Sequence, residues 1–397
     1  MKKKLLLVME AIEMNGAVKG WMGYLNAMDR AEWDVDLFLF EHKLHDGLSL
    51  PQSVNLLPVD PHCVIERVGF GAALRFAMTH GRIDLAVKRV IYSVLQRCCG
   101  LGWKWKLMKP AAAQPKHYDV AIASAQGVSW EYVATKVDAE RKFLWVDTDL
   151  RHSPWPAYWN HFKKYVDAAS GIVCVSRSLR DIMRTDNPQW ANKIFVMNYV
   201  IDDHTIIEKS KAPTGLPPKQ AFRLVTVGRY CQQKGSHLIP GIAGILKRRG
   251  LAFEWYVIGP GCLRNLEVIR DGLTKNGVAE CVHFQEGTLN PYAIMASADL
   301  YVQPSLFEGY GLTVSEALVT GRYVVASDIP QFREQITSQD FGLFSKDISE
   351  EEFAEAILTA VEIVQSGKNR EDYKTPYSAV ETYRQFCGII TSVSPLK

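Results

Sequence analysis

The sequence lacks the cysteine patterns of a disulfide-bonded scaffold or a zinc module. Its eight cysteines include no CxxC pair and follow no regular spacing, and residues 1–9 lack the long apolar segment of a secretory signal. Since disulfides persist only in oxidising compartments, we expect reduced thiols and a cytosolic protein. The cysteines occupy positions 63, 98, 99, 174, 231, 262, 281 and 387.

Long hydrophobic runs and a strong net charge are also absent. No uncharged apolar stretch reaches the length of about 18 residues that a transmembrane helix needs. A net charge of +3 is too small for a surface that binds nucleic acid over its whole extent. The sequence has neither an HExxH zinc motif nor the GxSxG turn of serine hydrolases. Over the whole chain, 47% hydrophobic and 22% charged residues are typical of a folded protein.

The first half of the chain alternates short apolar runs with helical patterns. The apolar run 5–9 leads into a turn with glycine at 15–17 and then into a helical pattern over 21–28. A short apolar run bounded by turns is typical of a strand buried on both faces of a parallel sheet. This alternation predicts a doubly wound α/β domain over 1–204. Its further strands are predicted at 35–40, 120–123, 143–146 and 172–175.

The pattern stops and then restarts in the second half. Residues 205–220 are polar and rich in proline, which predicts a linker. The restart predicts a second Rossmann-like domain over 221–375 rather than one long irregular domain. The predicted strands of this domain are 223–227, 255–259, 282–284, 300–303 and 323–326, and its helices are 237–249 and 313–320.

Two such domains facing each other would place the carboxyl ends of both sheets at a central cleft, where ligands of open α/β sheets bind. A last helical pattern lies in 376–397, after the second domain has all the strands it needs. We expect a C-terminal helix there, which can cross back onto the first domain.

The most informative segment is 303–318. A predicted strand ends at 303–304, a loop with Glu308 and two glycines follows, and a helix opens near Leu312. Glycines allow the backbone to approach a ligand closely, and free amides at a helix N-terminus attract phosphate. Two carboxylates beside a phosphate are electrostatically costly, so we expect Glu308 and Glu316 to bind another part of the ligand. They can accept hydrogen bonds from the hydroxyl groups of a ribose and a sugar. Alternatively, Glu308 is a solvated loop residue and Glu316 interacts with the helix dipole.

A second segment, 227–235, follows the first strand of the second domain. Here Arg229 can form paired hydrogen bonds with phosphate oxygens and Lys234 can add a positive charge. Together they would neutralise a diphosphate, more strongly as it departs with growing charge. An ordinary basic loop is the alternative. The turn 259–261, which is rich in glycine and follows another strand, is a weaker third segment.

These segments resemble a known family. Residues 222–345 are similar to the nucleotide-binding domain of GT-B glycosyltransferases of family GT4, the retaining and metal-independent group. Its signature is two glutamates separated by seven residues, as Glu308 and Glu316 are here. Further motifs resemble bacterial members that build capsule, exopolysaccharide or lipopolysaccharide. These motifs are 290–292, 298–305 and 329–335, and weaker likeness covers 1–40, 118–202 and 376–390.

The resemblance implies an enzyme that transfers a sugar from a nucleotide-sugar to a glycan or lipid-linked acceptor. A UDP-sugar is the preferred donor and GDP-mannose the next, with no cofactor and no metal. It implies that Arg229 and Lys234 bind the diphosphate, Glu316 the ribose and Glu308 the donor sugar. Glu308, Arg229 and Lys234 would be the catalytic residues. The implied donor-binding set is Gly16, Gly228, Arg229, Lys234, Gly259, Glu308, Gly309, Tyr310, Gly311, Leu312, Thr313 and Glu316.

Two segments depart from the family pattern. The first turn, 15–20, lacks the paired glycine and acidic residue of many relatives. Asp147 stands where many carry a histidine that contacts the donor sugar, so sugar selectivity or even activity can differ. The run from Asp147 to Asp149 also matches the Asp-x-Asp that holds a divalent metal in the GT-A fold. That interpretation would leave the whole second half unexplained.

A basic stretch covers 75–109, with eight Lys or Arg against a single acid, Asp84. Trp103 and Trp105 alternate with lysines near its end. Basic amphipathic segments lie on anionic membranes, so we expect a cytoplasmic protein that is peripheral on the inner face of the cytoplasmic membrane. A helix covering the first sheet, with a solvated basic face, is the alternative.

The sequence is also compatible with two other functions. A sugar-nucleotide epimerase of the same architecture would interconvert free nucleotide-sugars and would not need membrane docking. A catalytically silent sugar-nucleotide-binding protein would keep the fold without turnover. Asp147 favours the silent protein, whereas the glutamate pair and Arg229 with Lys234 oppose it.

Overall fold

The computed structural model describes the whole chain except for the following residues, listed by number: 1, 14, 42–48, 59, 62, 64–69, 100–112, 153–154, 262, 368–372, 374, 376–377 and 394–397. The chain divides into two compact units. The first unit comprises Met1–Cys174, Asn187–Phe195 and Tyr383–Lys397, and the second comprises Val175–Asp186 and Val196–Thr382.

The strands and helices alternate along the chain. The strands are β1 (Lys3–Met9), β2 (Trp33–Leu39), β3 (Val54–Leu56), β4 (Tyr118–Ala123), β5 (Ala139–Val146), β6 (Gly171–Cys174), β7 (Ile194–Val196), β8 (Phe222–Val227), β9 (Phe253–Ile258), β10 (Val282–Gln285), β11 (Leu300–Gln303), β12 (Tyr323–Ser327) and β13 (Gly342–Ser345). The helices are α1 (Gly16–Ala27), α2 (Phe70–Thr79), α3 (Ile83–Cys99), α4 (Val128–Lys136), α5 (Trp155–Phe162), α6 (Arg177–Asp186), α7 (Asp203–Ser210), α8 (Ile239–Arg248), α9 (Leu263–Lys275), α10 (Tyr292–Ser297), α11 (Leu312–Val319), α12 (Pro330–Arg333), α13 (Glu350–Gln365) and α14 (Ala379–Ser392).

The described part of the first unit contains a seven-stranded sheet in the order β3-β2-β1-β4-β5-β6-β7. The pairs from β3 to β6 are parallel, and β1 pairs Leu5 with Val35 on one side and with Val120 on the other. Residues 5–8 of β1 are buried, as the apolar run predicts for a central strand. The strand order reverses between β1 and β4, so the loops after these strands diverge at the carboxyl edge, where such sheets bind ligands.

The second unit contains a six-stranded parallel sheet, within its described residues, in the order β10-β9-β8-β11-β12-β13. Its core joins the sheet to α8 and α13 through buried apolar side chains such as Leu224, Trp255 and Val302. The prediction of two doubly wound α/β sheets is confirmed. The sequence reading missed the short strands β3, β7 and β13, which have three or four residues each.

Helix α7 lies partly in the segment that was predicted as a linker. Asp202 caps this helix, because its side chain accepts a hydrogen bond from the N–H of Thr205 at 3.0 Å. Residues 205–210 are therefore helical and 211–220 follow the helix. Aspartate is a preferred N-cap residue, because its carboxylate accepts a hydrogen bond from a free backbone N–H. A helix can therefore start here although the segment is polar.

An aromatic cluster holds the last helix against the first unit. Trp21 of α1 and Trp145 of β5 have ring centroids 4.6 Å apart, and Tyr24 and Phe386 of α14 have theirs 4.9 Å apart. Phe386 is fully buried. Trp21 also donates a hydrogen bond to the carbonyl oxygen of Ser124 at 3.0 Å, which fixes α1 beside β4. Residues from Tyr383 onwards thus return to the first unit.

No helix among the described residues is both long enough and apolar enough to cross a bilayer.

Replacement of Phe386 by alanine should destabilise the first unit by about 3–5 kcal/mol, because it leaves a cavity beside Tyr24 and Trp145. Denaturant unfolding followed by tryptophan fluorescence measures this loss. Val380→Ala on the same helix is the matched control: Val380 is exposed, so the change should stay within about 0.5 kcal/mol. Equal stabilities of the two variants would contradict the packing of α14.

Candidate functional site

Two loops of the second unit meet at the carboxyl edge of its sheet. They follow the neighbouring parallel strands β8 and β11. Gly235, in the first loop, has a φ of +68°, and a Cβ there would overlap the carbonyl oxygen of Pro304 in the second loop. Only glycine fits this contact. The N–H of Leu306 also donates to the carbonyl oxygen of Gln233 at 2.8 Å, so the two loops are packed and hydrogen-bonded to each other.

Lys234 and Glu308 form an ion pair between these loops. The Lys234 Nζ lies 2.6 Å from Glu308 Oε1, and the side chains are 16% and 5% exposed. The same carboxylate oxygen accepts a hydrogen bond from the Ser305 hydroxyl at 2.8 Å. Because both groups are largely shielded from water, their attraction is much less screened than that of a surface pair. The structure therefore holds the Glu308 carboxylate in one place.

The hydrogen bonds extend from Glu308 into the core. The side-chain amide of Gln303 donates to Ser305 at 2.9 Å, and its oxygen accepts from Tyr301 at 2.8 Å. Thr313, in the first turn of α11, also donates to Gln303 at 3.2 Å. Burial raises the pKa of Tyr301 far above its usual value, so its phenol remains a hydrogen-bond donor. This network ties Glu308 to β11 and to the start of α11.

Helix α11 begins immediately after the loop that carries Glu308. Gly311 is its N-cap with a φ of +88°, and a Cβ there would overlap the ring of Phe332. Glycine has no side chain to cap the helix, and Leu312 opens it. The N–H of Val314 donates to the carbonyl oxygen of Gly311 at 3.0 Å, and the positive end of the helix dipole here favours negative charge. Glu316, one turn further on, is buried.

The first loop brings together the other predicted residues of this unit. The methylenes of Lys234 lie along Gly228, 3.5 Å from where a Cβ would be. A Cβ on Gly259 would overlap the carbonyl oxygen of Gly228, so these two turns are also in close contact. Arg229 is exposed, and its guanidinium donates to Gln233 at 3.2 Å. The structure thus groups Gly228, Gly259, Lys234 and Glu308, with Arg229 on the outer side.

Two buried residues that sequence reasoning missed hold the glycine loop. The Ser176 hydroxyl donates to the carbonyl oxygen of Gly309 at 2.7 Å, and the Gln335 side-chain amide donates to that of Tyr310 at 2.6 Å. Gln335 lies in the family-like motif 329–335, but Ser176 is about 130 residues away in sequence, and no local pattern connects it with the loop.

The first unit carries the other two predicted site residues. Gly16 is the first residue of α1, and the preceding Asn15 caps this helix by accepting from the N–H of Val18 at 2.9 Å. Asp147 follows β5 and is partly exposed, and its N–H donates to the Gln126 side chain at 3.1 Å. Both residues lie at the carboxyl edge of the first sheet.

Arg151 occupies both carboxylate oxygens of Asp149, with Nε 3.0 Å from Oδ1 and Nη2 2.7 Å from Oδ2. Burial alone would raise the pKa of Asp149, but the hydrogen bonds from Arg151 outweigh it and lower that pKa below its usual value. The carboxylate is thus engaged as a structural ion pair. Among the residues that the structure describes, no group of three or more His, Cys, Asp or Glu is placed to hold a metal ion.

Comparison with known proteins shows what the domain that carries these loops is similar to. Residues 221–362 match the family described as "Glycosyl transferases group 1". The lipopolysaccharide core biosynthesis mannosyltransferase LpsB of Rhizobium meliloti (strain 1021) is 32% identical over 141 residues, which are 34% of this chain and 40% of LpsB. The D-inositol 3-phosphate glycosyltransferase of Paenarthrobacter aurescens (strain TC1) is 26% identical over 168 residues, 41% of this chain and 40% of that protein. The matched segment therefore spans about two fifths of each curated relative.

Solved structures match nearly the whole chain. Anabaena HepE in complex with UDP and glucose has a TM-score of 0.66 at 16% identity, covering 98% of this chain and 100% of HepE. A TarM variant of S. aureus has a TM-score of 0.70 at 12% identity, covering 98% of this chain and 100% of TarM. The resemblance inferred from the motifs is confirmed for residues 221–362, which match the glycosyl transferases group 1 family. The chain has the GT-B fold of these solved glycosyltransferases.

Proposed function

We propose that this protein is a retaining glycosyltransferase that moves a sugar from a nucleotide-sugar to a glycan or lipid-linked acceptor in bacterial surface polysaccharide synthesis. The observation that carries this proposal is the shielded pair of Lys234 and Glu308 at the entrance to α11, inside the matched family domain. A UDP-sugar is the proposed donor, because HepE and TarM were solved with UDP. GDP-mannose comes next, because LpsB is a mannosyltransferase.

The Lys234 ammonium is the proposed main contact for the donor diphosphate. It has three N–H donors and donates one of them to Glu308, so it can also donate to a phosphate oxygen while the ion pair with that carboxylate is kept. Arg229 on the outer side of the loop and the amides at the start of α11 add positive potential. Since Lys234 is held by Glu308 before the reaction, it stabilises the growing charge on the leaving diphosphate without reorganisation.

The two glutamates have different proposed roles. Glu316 accepts hydrogen bonds from the ribose hydroxyls, and Glu308 contacts the donor sugar, held by Lys234 and Ser305. In front-face transfer the bond from the anomeric carbon to the diphosphate oxygen breaks while the acceptor oxygen bonds on the same face. The proton of the acceptor hydroxyl passes to the departing diphosphate oxygen. Positioning and electrostatic stabilisation carry such a step without a dedicated base. For Gly16 and Asp147 we retain the predicted contacts with phosphate and donor sugar.

A thermal-shift panel of nucleotides tests the donor assignment. We expect UDP to raise the Tm more than GDP does, because a UDP-sugar is the proposed donor and UDP should bind more tightly. A ligand at about 100 times its Kd stabilises the folded state by about 2.7 kcal/mol. Glu316→Ala should lose most of this shift while Glu355→Ala, an exposed glutamate of α13, should keep it. No shift with any nucleotide would overturn the proposed function.

Replacement of Glu308 separates binding from transfer. We expect Glu308→Ala to bind UDP within about threefold of wild type but to transfer sugar at least about 100-fold more slowly, the scale seen when one electrostatic contact of a transition state is lost. Release of UDP and of labelled product, measured under single-turnover conditions, gives the rate. Wild-type turnover by this variant would remove Glu308 from the mechanism.

The same assay contains two controls. With EDTA present, the wild-type rate should stay unchanged, because Lys234 and Arg229 supply the charge that a metal would otherwise supply. Loss of the activity in EDTA and its return with manganese would contradict metal independence. Conversion of a free nucleotide-sugar to an epimer without an acceptor would instead identify an epimerase.

We also propose that the first unit docks on an anionic membrane through α2 and α3. Leu85 of α3 is fully buried against Ala73 and Ala77 of α2. The opposite face of α3 carries an apolar stripe, in which Ile83 and Val87 are 77% and 53% exposed. The stripe recurs at helical spacing and consists of Ile83, Val87, Val90, Ile91 and Val94.

The same two helices and the turn between them also carry cations. Arg75 is exposed, and Arg82 and Lys88 are partly exposed, whereas Asp84 is the only acidic residue between 75 and 109 and is paired with Arg82. An apolar stripe with basic flanks is typical of a helix lying in the headgroup region. The tryptophans and lysines of the predicted docking segment at 103–109 lie outside the described residues.

Flotation with vesicles of phosphatidylglycerol and phosphatidylcholine tests this docking. We expect wild type to float with the anionic vesicles, less at high salt, and a Val87→Glu/Val94→Glu variant to remain at the bottom. Ile207→Glu/Val268→Glu, which places charges at exposed apolar positions of the second unit, should float like wild type. Failure of wild type to float, or equal flotation of all three proteins, would overturn the proposal.

A further inference from the structure

The loop between Glu308 and α11 has two successive carbonyl groups that buried side chains hold. The carbonyl oxygen of Gly309 accepts from Ser176, and that of Tyr310 accepts from Gln335, at 2.7 and 2.6 Å. Both donors are fully buried. The donor-binding residues that the resemblance implies include neither Ser176 nor Gln335, which lie 133 and 25 residues from their partners in the loop.

Each donor is itself held in place. Ser176 is oriented by a hydrogen bond that its oxygen accepts from the N–H of Leu179, in the first turn of α6. Glu334 seats the same helix start, since its carboxylate accepts from the N–H groups of Arg177 and Ser178 at 3.0 and 2.7 Å. Glu334 thus acts on the loop through Ser176.

Gln335 is fixed from the other side. Its side-chain oxygen accepts from the Ser315 hydroxyl of α11 at 2.5 Å, and its own carbonyl oxygen accepts from the Tyr373 hydroxyl at 3.3 Å. With the oxygen engaged by Ser315, the NH₂ group has to point at Tyr310. Adjacent residues Glu334 and Gln335 therefore control two adjacent carbonyls, one through Ser176 and one directly.

Fixing these carbonyls also fixes the amides of the loop. In a planar trans peptide, the C=O of one residue and the N–H of the next point in opposite directions. The contacts at Gly309 and Tyr310 therefore set the directions of the N–H groups of Tyr310 and Gly311. Those N–H vectors point away from Ser176 and Gln335. An amide that is already held in place binds an anion without the further free-energy cost of ordering the loop.

We infer that Ser176 and Gln335 are positioning residues that aim the backbone amides of Tyr310 and Gly311 at the second phosphate and sugar of the donor. This inference rests on the proposed function and deepens it. The side chains themselves do not touch the donor. Their loss should therefore weaken the contribution of the second phosphate and leave the recognition of the nucleoside unchanged.

Calorimetric titration of Ser176→Ala and Gln335→Met with UDP and UMP tests the inference. We expect the Kd for UDP to rise about tenfold in each variant, the scale of one impaired hydrogen bond to a charged group, while the Kd for UMP stays within about twofold. If wild type prefers guanine nucleotides, GDP and GMP replace the uridine pair. A purely structural role would change both constants together or neither.

Ser349→Ala is the matched control for Ser176→Ala. Ser349 caps α13 in the same unit by accepting from the N–H of Glu352 at 3.2 Å, so this variant also loses a helix cap but no contact with the loop. It should lower the Tm by a similar amount and bind UDP as wild type does. This comparison separates a lost cap from a misdirected amide.

The possible failures are distinguishable. If wild type binds neither diphosphate, the proposed function fails and the inference fails with it. If wild type binds and both variants keep its ratio of UMP to UDP affinity, the inference alone is overturned. Should Gln335→Met not fold, Ser176→Ala with its Ser349→Ala control still decides the outcome.

Discussion

The ion pair between Lys234 and Glu308 is the contact on which the rest of the site depends. It joins the loop after β8 to the loop after β11, and both strands are central in the sheet of the second unit. A largely shielded pair of this kind is favourable only where further hydrogen bonds satisfy its atoms. Ser305, Gln303 and Tyr301 supply them, so the stability of the pair depends on an ordered series of neutral donors that reaches into the core.

That arrangement also explains why a cation and an anion can share one small region. A lysine alone at this edge would bind any phosphate, and a glutamate alone would repel it. Held together at 2.6 Å, they present a neutral pair in which each member keeps unused hydrogen-bonding capacity. The ammonium can still donate and the carboxylate can still accept, which suits a ligand that carries both a diphosphate and a polyhydroxylated ring.

Sequence reasoning predicted the parts of this molecule that local patterns determine. Buried strands such as β1 and β11 appear as short apolar runs, and the spacing of Glu308 and Glu316 carries the family signature. The prediction failed where a single capping residue determines the local structure. In α7, Asp202 starts a helix within a polar segment that was predicted as a linker. The contacts of Ser176 with Gly309 and of Gln335 with Tyr310 could not be predicted, because they depend on tertiary packing between distant parts of the chain.

The contact between Gly235 and Pro304 has an evolutionary consequence. Because any side chain at 235 would displace the second loop, the loops that carry Lys234 and Glu308 cannot change independently of each other. A substitution in one loop is tolerated only if it keeps this contact. Asp147 follows a strand of the other sheet, in the first unit, so the contact places no limit on substitutions there.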